Sequence, residues 1–319
     1  MTLARVAQTV LSFSLVRVVL ALFALLIAVT CRDIVMGALA MTLSLGRHTP
    51  QLWLGRSRPP LEITGPVALY SIAAFVAMVA LGFLAYTLYC RWVEKRRPSE
   101  LSTRGALSEV GVGVLIGLVL VLGIVGVLAA LGHVTITGSK GWLVVVPAFA
   151  SAATAACLEE LALRGIIFRI LERSLGTWVT LLATAALFGL LHAGNGSASL
   201  VSTLTIAVSG GLVLGAAYVL TRRLWLAIGL HFAVNAAQGG LLGLVVSGKQ
   251  THGLFETEVS GPVALTGGAF GIEASVLMLV LGAALAAGLL YRAARMDRIL
   301  PAAWTRASTA EGLPAAATK

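Results

Sequence analysis

The stretch "CLEELALRG", Cys157 to Gly165, puts two carboxylates, Glu159 and Glu160, and the guanidinium of Arg164 inside an apolar surround. Its reading decides the fold. In a soluble helix three charges in six residues would be ordinary. Here hydrophobic residues make up 58% of the 319-residue chain and charged residues 11%, against about 25% charge in a typical soluble domain. Mean hydropathy is +0.96. A bilayer crossing needs about 20 apolar residues, and the chain supplies that length several times. The three charges therefore interrupt a membrane helix, where an ionisable side chain costs about 2.5–3.5 kcal/mol at mid-bilayer. Such a cost marks a candidate functional site.

Working outward, candidate spans run over Leu11–Thr30, Val67–Cys90, Val110–Leu131, Trp142–Leu158 with an amphipathic extension to Arg173, Trp178–His192, Leu200–Leu220, Leu224–Val246 and Ile272–Tyr291. The expected fold is all-α, a polytopic transmembrane bundle of about eight spans. The runs are continuous, whereas barrel strands would alternate over about ten residues. Ile34–Leu45 is too short to cross; it either lies at the interface or extends the first helix. Residues 1–65 read as an N-terminal span with an outer loop, 66–293 as the membrane domain, and 294–319 as a polar, disordered cytoplasmic tail. Arg17 within the first apolar stretch, and no small-x-small site after "LLIAVTCR", favour an uncleaved span over a signal peptide.

The net charge of +10 would suggest nucleic acid in a soluble chain. Here the basic residues sit in short loops, so topology explains them and no nucleic-acid partner is expected. With the N-terminus in the cytoplasm, sixteen Lys and Arg fall on that side and six on the other, with Arg17 in the first span. Both termini are expected inside. Cys31, Cys90 and Cys157 have neither metal nor disulfide spacing. Gly113-x-x-x-Gly117, Gly211-x-x-x-Gly215 and Gly239-x-x-x-Gly243 read as close-packing faces.

Four polar places stand out. In "EELALR", Glu160 and Arg164 are four apart with the acid first, the favourable helical order, while Glu159 is rotated about 100° away. In "FGLLH", Phe188 and His192 share a face. In "HFAVN", His231 and Asn235 share one. Glu273 in "FGIEAS" reads as a first-turn acid favoured by the helix dipole. Asn195-Gly-Ser197 matches a glycosylation triplet and is discounted. His48, His133 and His252 fall in loops and are assigned nothing. Ser174–Gly176 reads as a turn between antiparallel helices. Glu159 and His192 then lie roughly 22–26 Å from it at 1.5 Å per residue, and His231 and Asn235 roughly 12–18 Å beyond Arg222–Arg223. The three motifs can meet in one cavity.

Two carboxylates, two histidines and an amide fit hydrolysis. A glutamate shielded from water serves as a general base, with Glu159 taking the proton of a water that His192 orients. His231 and Asn235 could donate to the oxyanion. A divalent metal such as zinc held by Glu159, His192 and His231 is the second option. There is no H-E-x-x-H, Ser-x-x-Lys or G-x-S-x-G with a matching base.

"EELALR", "FGLLH" and "HFAVN", in this order, resemble the motifs E-E-x-x-x-R, F-x-x-x-H and H-x-x-x-N of the CAAX-protease and bacteriocin-processing family of intramembrane endopeptidases. "RRPSELSTRG" resembles a segment of its bacterial members, and the resemblance spans about Arg97 to Tyr291. It implies an eight-helix intramembrane protease in a bacterial cell membrane, in contact with lipid and acting on membrane-associated peptides or proteins. It also implies that Glu159 and His192 activate water, that His231 and Asn235 form the oxyanion site, and that Glu160 with Arg164 supports the geometry. Both metal-dependent and metal-free glutamate mechanisms are associated with the family. The competing readings are a non-catalytic immunity or scaffold protein and a proton-coupled transporter; the chain shows no internal repeat of the kind many transporters have.

Overall fold

The computed structural model describes residues 13–42 and 64–305. The chain is an all-α helical bundle. Its elements are α1 (Ser14–Thr42), α2 (Gly65–Trp92), α3 (Ala106–Ala130), α4 (Val145–Glu160), α5 (Arg169–His192), α6 (Leu200–Ile206), α7 (Val213–Thr221), α8 (Trp225–Asn235), the short α9 (Val263–Thr266) and α10 (Val276–Arg295). Three segments wound as π-helix continue these rods: Leu161–Phe168 joins α4 to α5, Ala207–Leu212 joins α6 to α7, and Ala236–Leu241 prolongs α8.

Six helical runs among the described residues are long and apolar enough to cross a membrane. One of them, Trp142–His192, is 51 residues long. It turns at Gly176, whose φ of 73° and ψ of 171° break the helix, at the place expected from Ser174–Gly176. A side chain is excluded there twice over: φ is left-handed, and a Cβ would sit 2.7 Å from the backbone nitrogen of Ala302. Trp225–Leu241 makes another apolar leg of 11 plus 6 residues. The polytopic bundle read from the sequence is the observed fold.

The structure takes one of the two alternatives open for Ile34–Leu45 and adds one element absent from the sequence reading. Ile34–Leu45, as far as Thr42, continues α1 without a break; its remainder lies outside the described residues. The chain also holds an antiparallel two-stranded ribbon, β1 (Val134–Ser139) with β2 (Phe255–Val259), in register Val134 to Val259. The sequences "VTIT" and "FETEV" account for it, since both alternate β-branched or aromatic residues with polar ones. Of the segment expected as a polar tail, the stretch after α10 packs on the Gly176 turn: Thr177 donates its N–H to the Leu300 carbonyl (2.9 Å), and the Leu300 N–H donates back to Thr177 Oγ1 (2.8 Å).

Helices α3 and α8 are in backbone contact. A Cβ on Gly113 would lie 2.4 Å from the Leu226 carbonyl oxygen, and one on Gly229 would lie 2.4 Å from that of Val110. The approach brings α8, which carries His231, hard against a long transmembrane rod. Gly113→Leu is expected to cost about 3 kcal/mol or more, because the obstacle is main chain and cannot repack. Gly111→Leu, at a position with nothing within 4 Å, should leave the melting temperature in detergent unchanged. Equal melting temperatures for the two variants would show that the contact is dispensable.

The connector between α2 and α3 carries the "RRPSEL" segment and folds into a buried charge network. Arg96 pairs with Glu94 (2.6 Å) and Glu100 (2.6 Å), and Arg169 reaches Glu94 (2.9 Å) and Glu100 (3.3 Å). Burial alone would raise both carboxyls. Arg169 and Arg96 more than offset it at Glu94, as Arg96, Tyr86 and Arg169 do at Glu100, and both end below the usual carboxylate range. Tyr86 Oη and Arg169 Nε both donate to the carbonyl of Gly165 (2.7 and 2.8 Å). The network thus grips the π-wound segment one residue beyond Arg164.

Candidate active site

Glu160 is the last residue of α4 and Arg164 sits in the π-wound segment that follows. Both are fully buried. Arg164 Nη1 donates to Glu160 Oε1 at 2.9 Å, and Nη2 donates to the carbonyls of Gly211 (2.9 Å) and Gly210 (3.2 Å). Those carbonyls belong to the second π-wound segment, Ala207–Leu212, where the wider turn disturbs the α-helical ladder. The guanidinium also lies 5.1 Å over the Phe188 ring. Glu160 Oε2 and Arg164 Nε remain without a partner among the described residues.

Glu160 does a second thing. Its Oε1 lies 3.0 Å from Nδ1 of His231. A carboxylate can only accept, so Nδ1 carries a proton and Nε2 is the free end of the ring. That free end lies 3.9 Å from Oε2 of Glu159. His192 is fixed in a similar way: its Nδ1 sits 2.8 Å from the Phe188 carbonyl, which places a proton on Nδ1 and leaves Nε2 available. Phe188 stacks on His192 with centroids 4.7 Å apart and meets His231 edge-on at 6.2 Å. Phe188 is thus the wall against which both imidazoles are set.

A cavity of about 380 Å³ gathers these groups; Glu159, His192, His231 and Asn235 all line it. Glu159 is 38% exposed at its side chain and makes no hydrogen bond among the described residues. One face of α4 supplies a wall of small residues, Ala148, Ser151, Ala152 and Ala155, leading up to Glu159. The structure therefore brings together all six residues singled out from sequence. Four line the cavity, and Glu160 and Arg164 stand behind them, linked to it through His231.

The loop rim was not singled out. Ser247, Lys249, Gln250, Thr251 and His252 also line the cavity. They lie in a segment with no periodicity, and Lys249 entered only the count of loop cations. Glu273 differs from its expected role. It lies in a 3-10 turn before α10, whose N-cap is Ser275. Its buried carboxylate accepts from Ser247 N–H and Oγ, both at 2.7 Å, and from Gln238 Nε2 at 3.4 Å. It pins the rim instead of serving the helix dipole.

Among the described residues no three His, Cys, Asp or Glu side chains are arranged to hold a metal ion. Glu159, His192 and His231 share the cavity without converging on one point, so they do not fit a metal as they stand.

Comparison with known proteins agrees with the motifs. Residues 141–237 match the sequence model of the family described as type II CAAX prenyl endopeptidase Rce1-like. The matched stretch begins just before α4 and ends two residues after Asn235, so it contains all six site residues. The family resemblance drawn from the three motifs stands. No curated protein and no solved structure matched the chain.

Proposed function

We propose, taking the Rce1-like character of residues 141–237 as the premise, that this multi-pass membrane protein is an intramembrane endopeptidase hydrolysing peptide bonds of membrane-associated substrates by a metal-free, glutamate-activated water. The observation that carries the reading is the Glu159 carboxylate. It stands unbonded in a cavity among apolar helices, beside two imidazoles whose Nδ1 atoms are already engaged. An acid with no hydrogen-bond partner among the described residues, within an apolar span, is costly to keep and has no packing role.

In this reading a water sits between Glu159 and His192 Nε2. Glu159 takes its proton as the oxygen attacks the scissile carbonyl, and His192 Nε2 accepts the second hydrogen as a hydrogen bond that aims the lone pair. His231, doubly protonated between Glu159 and Glu160, donates from Nε2 to the forming oxyanion, with the Asn235 amide as second donor; one such donor is worth about 10²–10³ in rate. When the tetrahedral adduct collapses, Glu159 passes its proton to the departing amine. One water is consumed, and an acid and an amine are released. The excess of Lys and Arg in alternate loops supports both termini in the cytoplasm, and the likeness of "RRPSELSTRG" to bacterial members supports a bacterial plasma membrane.

The test is cleavage of an internally quenched, S-farnesylated peptide ending in a C-a-a-X sequence by the purified chain in detergent micelles. Turnover, with a new amine terminus found by mass spectrometry, is expected; no turnover of this peptide or of unmodified membrane peptides would overturn the reading. Treatment with 1,10-phenanthroline and dialysis against chelator are expected to leave kcat/KM within about twofold, since no step needs a Lewis acid. Loss of activity restored by added zinc would replace the metal-free mechanism with a metal-dependent one.

A further inference from the structure

Beyond the reacting groups, the cavity rim has an unfinished edge. The backbone turns at Val246–Lys249, where Val246 and Lys249 exchange both main-chain hydrogen bonds (3.0 and 2.9 Å), and Glu273 holds Ser247 from below. The chain then runs on through Gln250, Thr251 and His252 with neither helix nor strand pairing, and all three line the cavity. Main-chain pairing resumes at Leu254, whose N–H donates to Gly240 at 2.9 Å and whose carbonyl accepts from Lys140 at 2.7 Å. Between those two anchors no backbone N–H or C=O of Gln250, Thr251 or His252 has a hydrogen-bond partner among the described residues.

The segment is nevertheless held firmly. Thr251 Oγ1 donates to the Leu244 carbonyl at 2.6 Å. Gly253 comes so close to Gly243 that a Cβ on it would lie 2.2 Å from the Gly243 nitrogen. One side of the segment is therefore sealed against the backbone that runs from Gly239 to Leu244, and its residues also border the cavity. A fixed run of unsatisfied main-chain donors and acceptors beside a cavity is a template for a further strand.

Charge gives the template a direction. The charged residues lining the cavity are Glu159, Glu273 and Lys249. Glu273 is saturated by Ser247 and Gln238. Lys249 is exposed and has no acidic partner among the described residues. His252, held below its ordinary pKa by burial and by Lys140, is neutral at pH 7 and adds no second cation. A peptide carboxylate is repelled by Glu159 and attracted by Lys249.

The geometry points to Gln250–His252 as a docking strand for the substrate: an extended peptide pairs with it main chain to main chain and places a carboxylate on Lys249, which fixes the direction in which the peptide crosses Glu159. The inference rests on the peptidase reading for its substrate class, and its experiment separates the two. Glu159→Gln protein is mixed with the farnesylated C-a-a-X peptide, and amide hydrogen exchange is followed by mass spectrometry. Slower exchange confined to Gln250–His252 is expected. Unchanged exchange there overturns the docking strand, whether or not wild-type protein cleaves the peptide. Protection without any cleavage by wild type overturns the peptidase reading and leaves the strand standing.

The second arm locates the carboxylate. Wild type is expected to cleave the free-acid peptide about tenfold better in kcat/KM than its C-terminal amide, as a charge-assisted contact would give. Lys249→Met should abolish the difference without altering the melting temperature, because Lys249 is exposed. An amidated peptide with an aspartate beyond the scissile bond distinguishes a side-chain carboxylate from a terminal one. Dependence on Lys249 in either peptide supports the assignment; independence in both overturns it.

Discussion

Glu159→Gln is expected to reduce peptide-bond hydrolysis by about a thousandfold or more while leaving the melting temperature of the purified protein unchanged or slightly raised. The size follows from the role, since a positioned general base contributes about 10²–10⁴ in rate and glutamine keeps the shape but cannot take the proton. The indifference of stability follows from the surroundings. Among the described residues Glu159 makes no hydrogen bond, is 38% exposed at its side chain and lies 3.9 Å from His231 Nε2, so no hydrogen-bonded contact is lost. His192→Gln should cost less, because a substitute amide still offers water an acceptor. The measurement is kcat/KM on the quenched peptide beside a thermal melt of the same preparation. A Glu159→Gln protein that melts normally and retains more than about a tenth of wild-type activity would remove Glu159 from the chemistry.

Much of this site was legible as cost. A charge in an apolar run needs a reason, and i, i+4 spacing puts Glu160 with Arg164, Phe188 with His192, and His231 with Asn235 on common faces. Rise per residue from the Gly176 turn then gave matching depths for Glu159 and His192, which do line one cavity. What could not be read depends on contacts between distant segments. The bond from Glu160 to His231 joins residues 71 apart in the chain. The π-wound turns leave no mark on hydrophobic periodicity, since each changes the pitch for only six to eight residues. Yet one of them presents the Gly210 and Gly211 carbonyls that accept from Arg164. The rim from Ser247 to His252 is a loop, where composition carries no information about direction. Glu273 escapes a local reading because a dipole explanation needs only neighbouring sequence, while its actual partners, Ser247 and Gln238, come from elsewhere.

Arg164→Met is expected to be the most destabilising single change at the site, because it strands a carboxylate in the interior. Glu160 and Arg164 are both fully buried, and removing one partner of a buried pair costs about 3–5 kcal/mol, here with the Gly210 and Gly211 carbonyls losing their donor as well. The variant should accumulate poorly in membranes and melt well below wild type. Glu160→Gln in the same background removes the stranded charge, and the double variant should recover most of the lost stability, since neutral residues of similar volume can replace a buried ion pair at little cost. It should not recover activity. With glutamine at position 160 an amide oxygen can still accept from His231 Nδ1, but the negative charge beside the ring is gone, and its Nε2 no longer stands as a charged donor at the oxyanion. Stability and catalysis are therefore predicted to part company in the double variant: folded, with a melting temperature near wild type, and slowed by about a hundredfold, the value of one oxyanion donor. If activity returned together with stability, Glu160 would be holding the helices and nothing more, and the link from the buried pair through His231 to the cavity would have no part in the reaction.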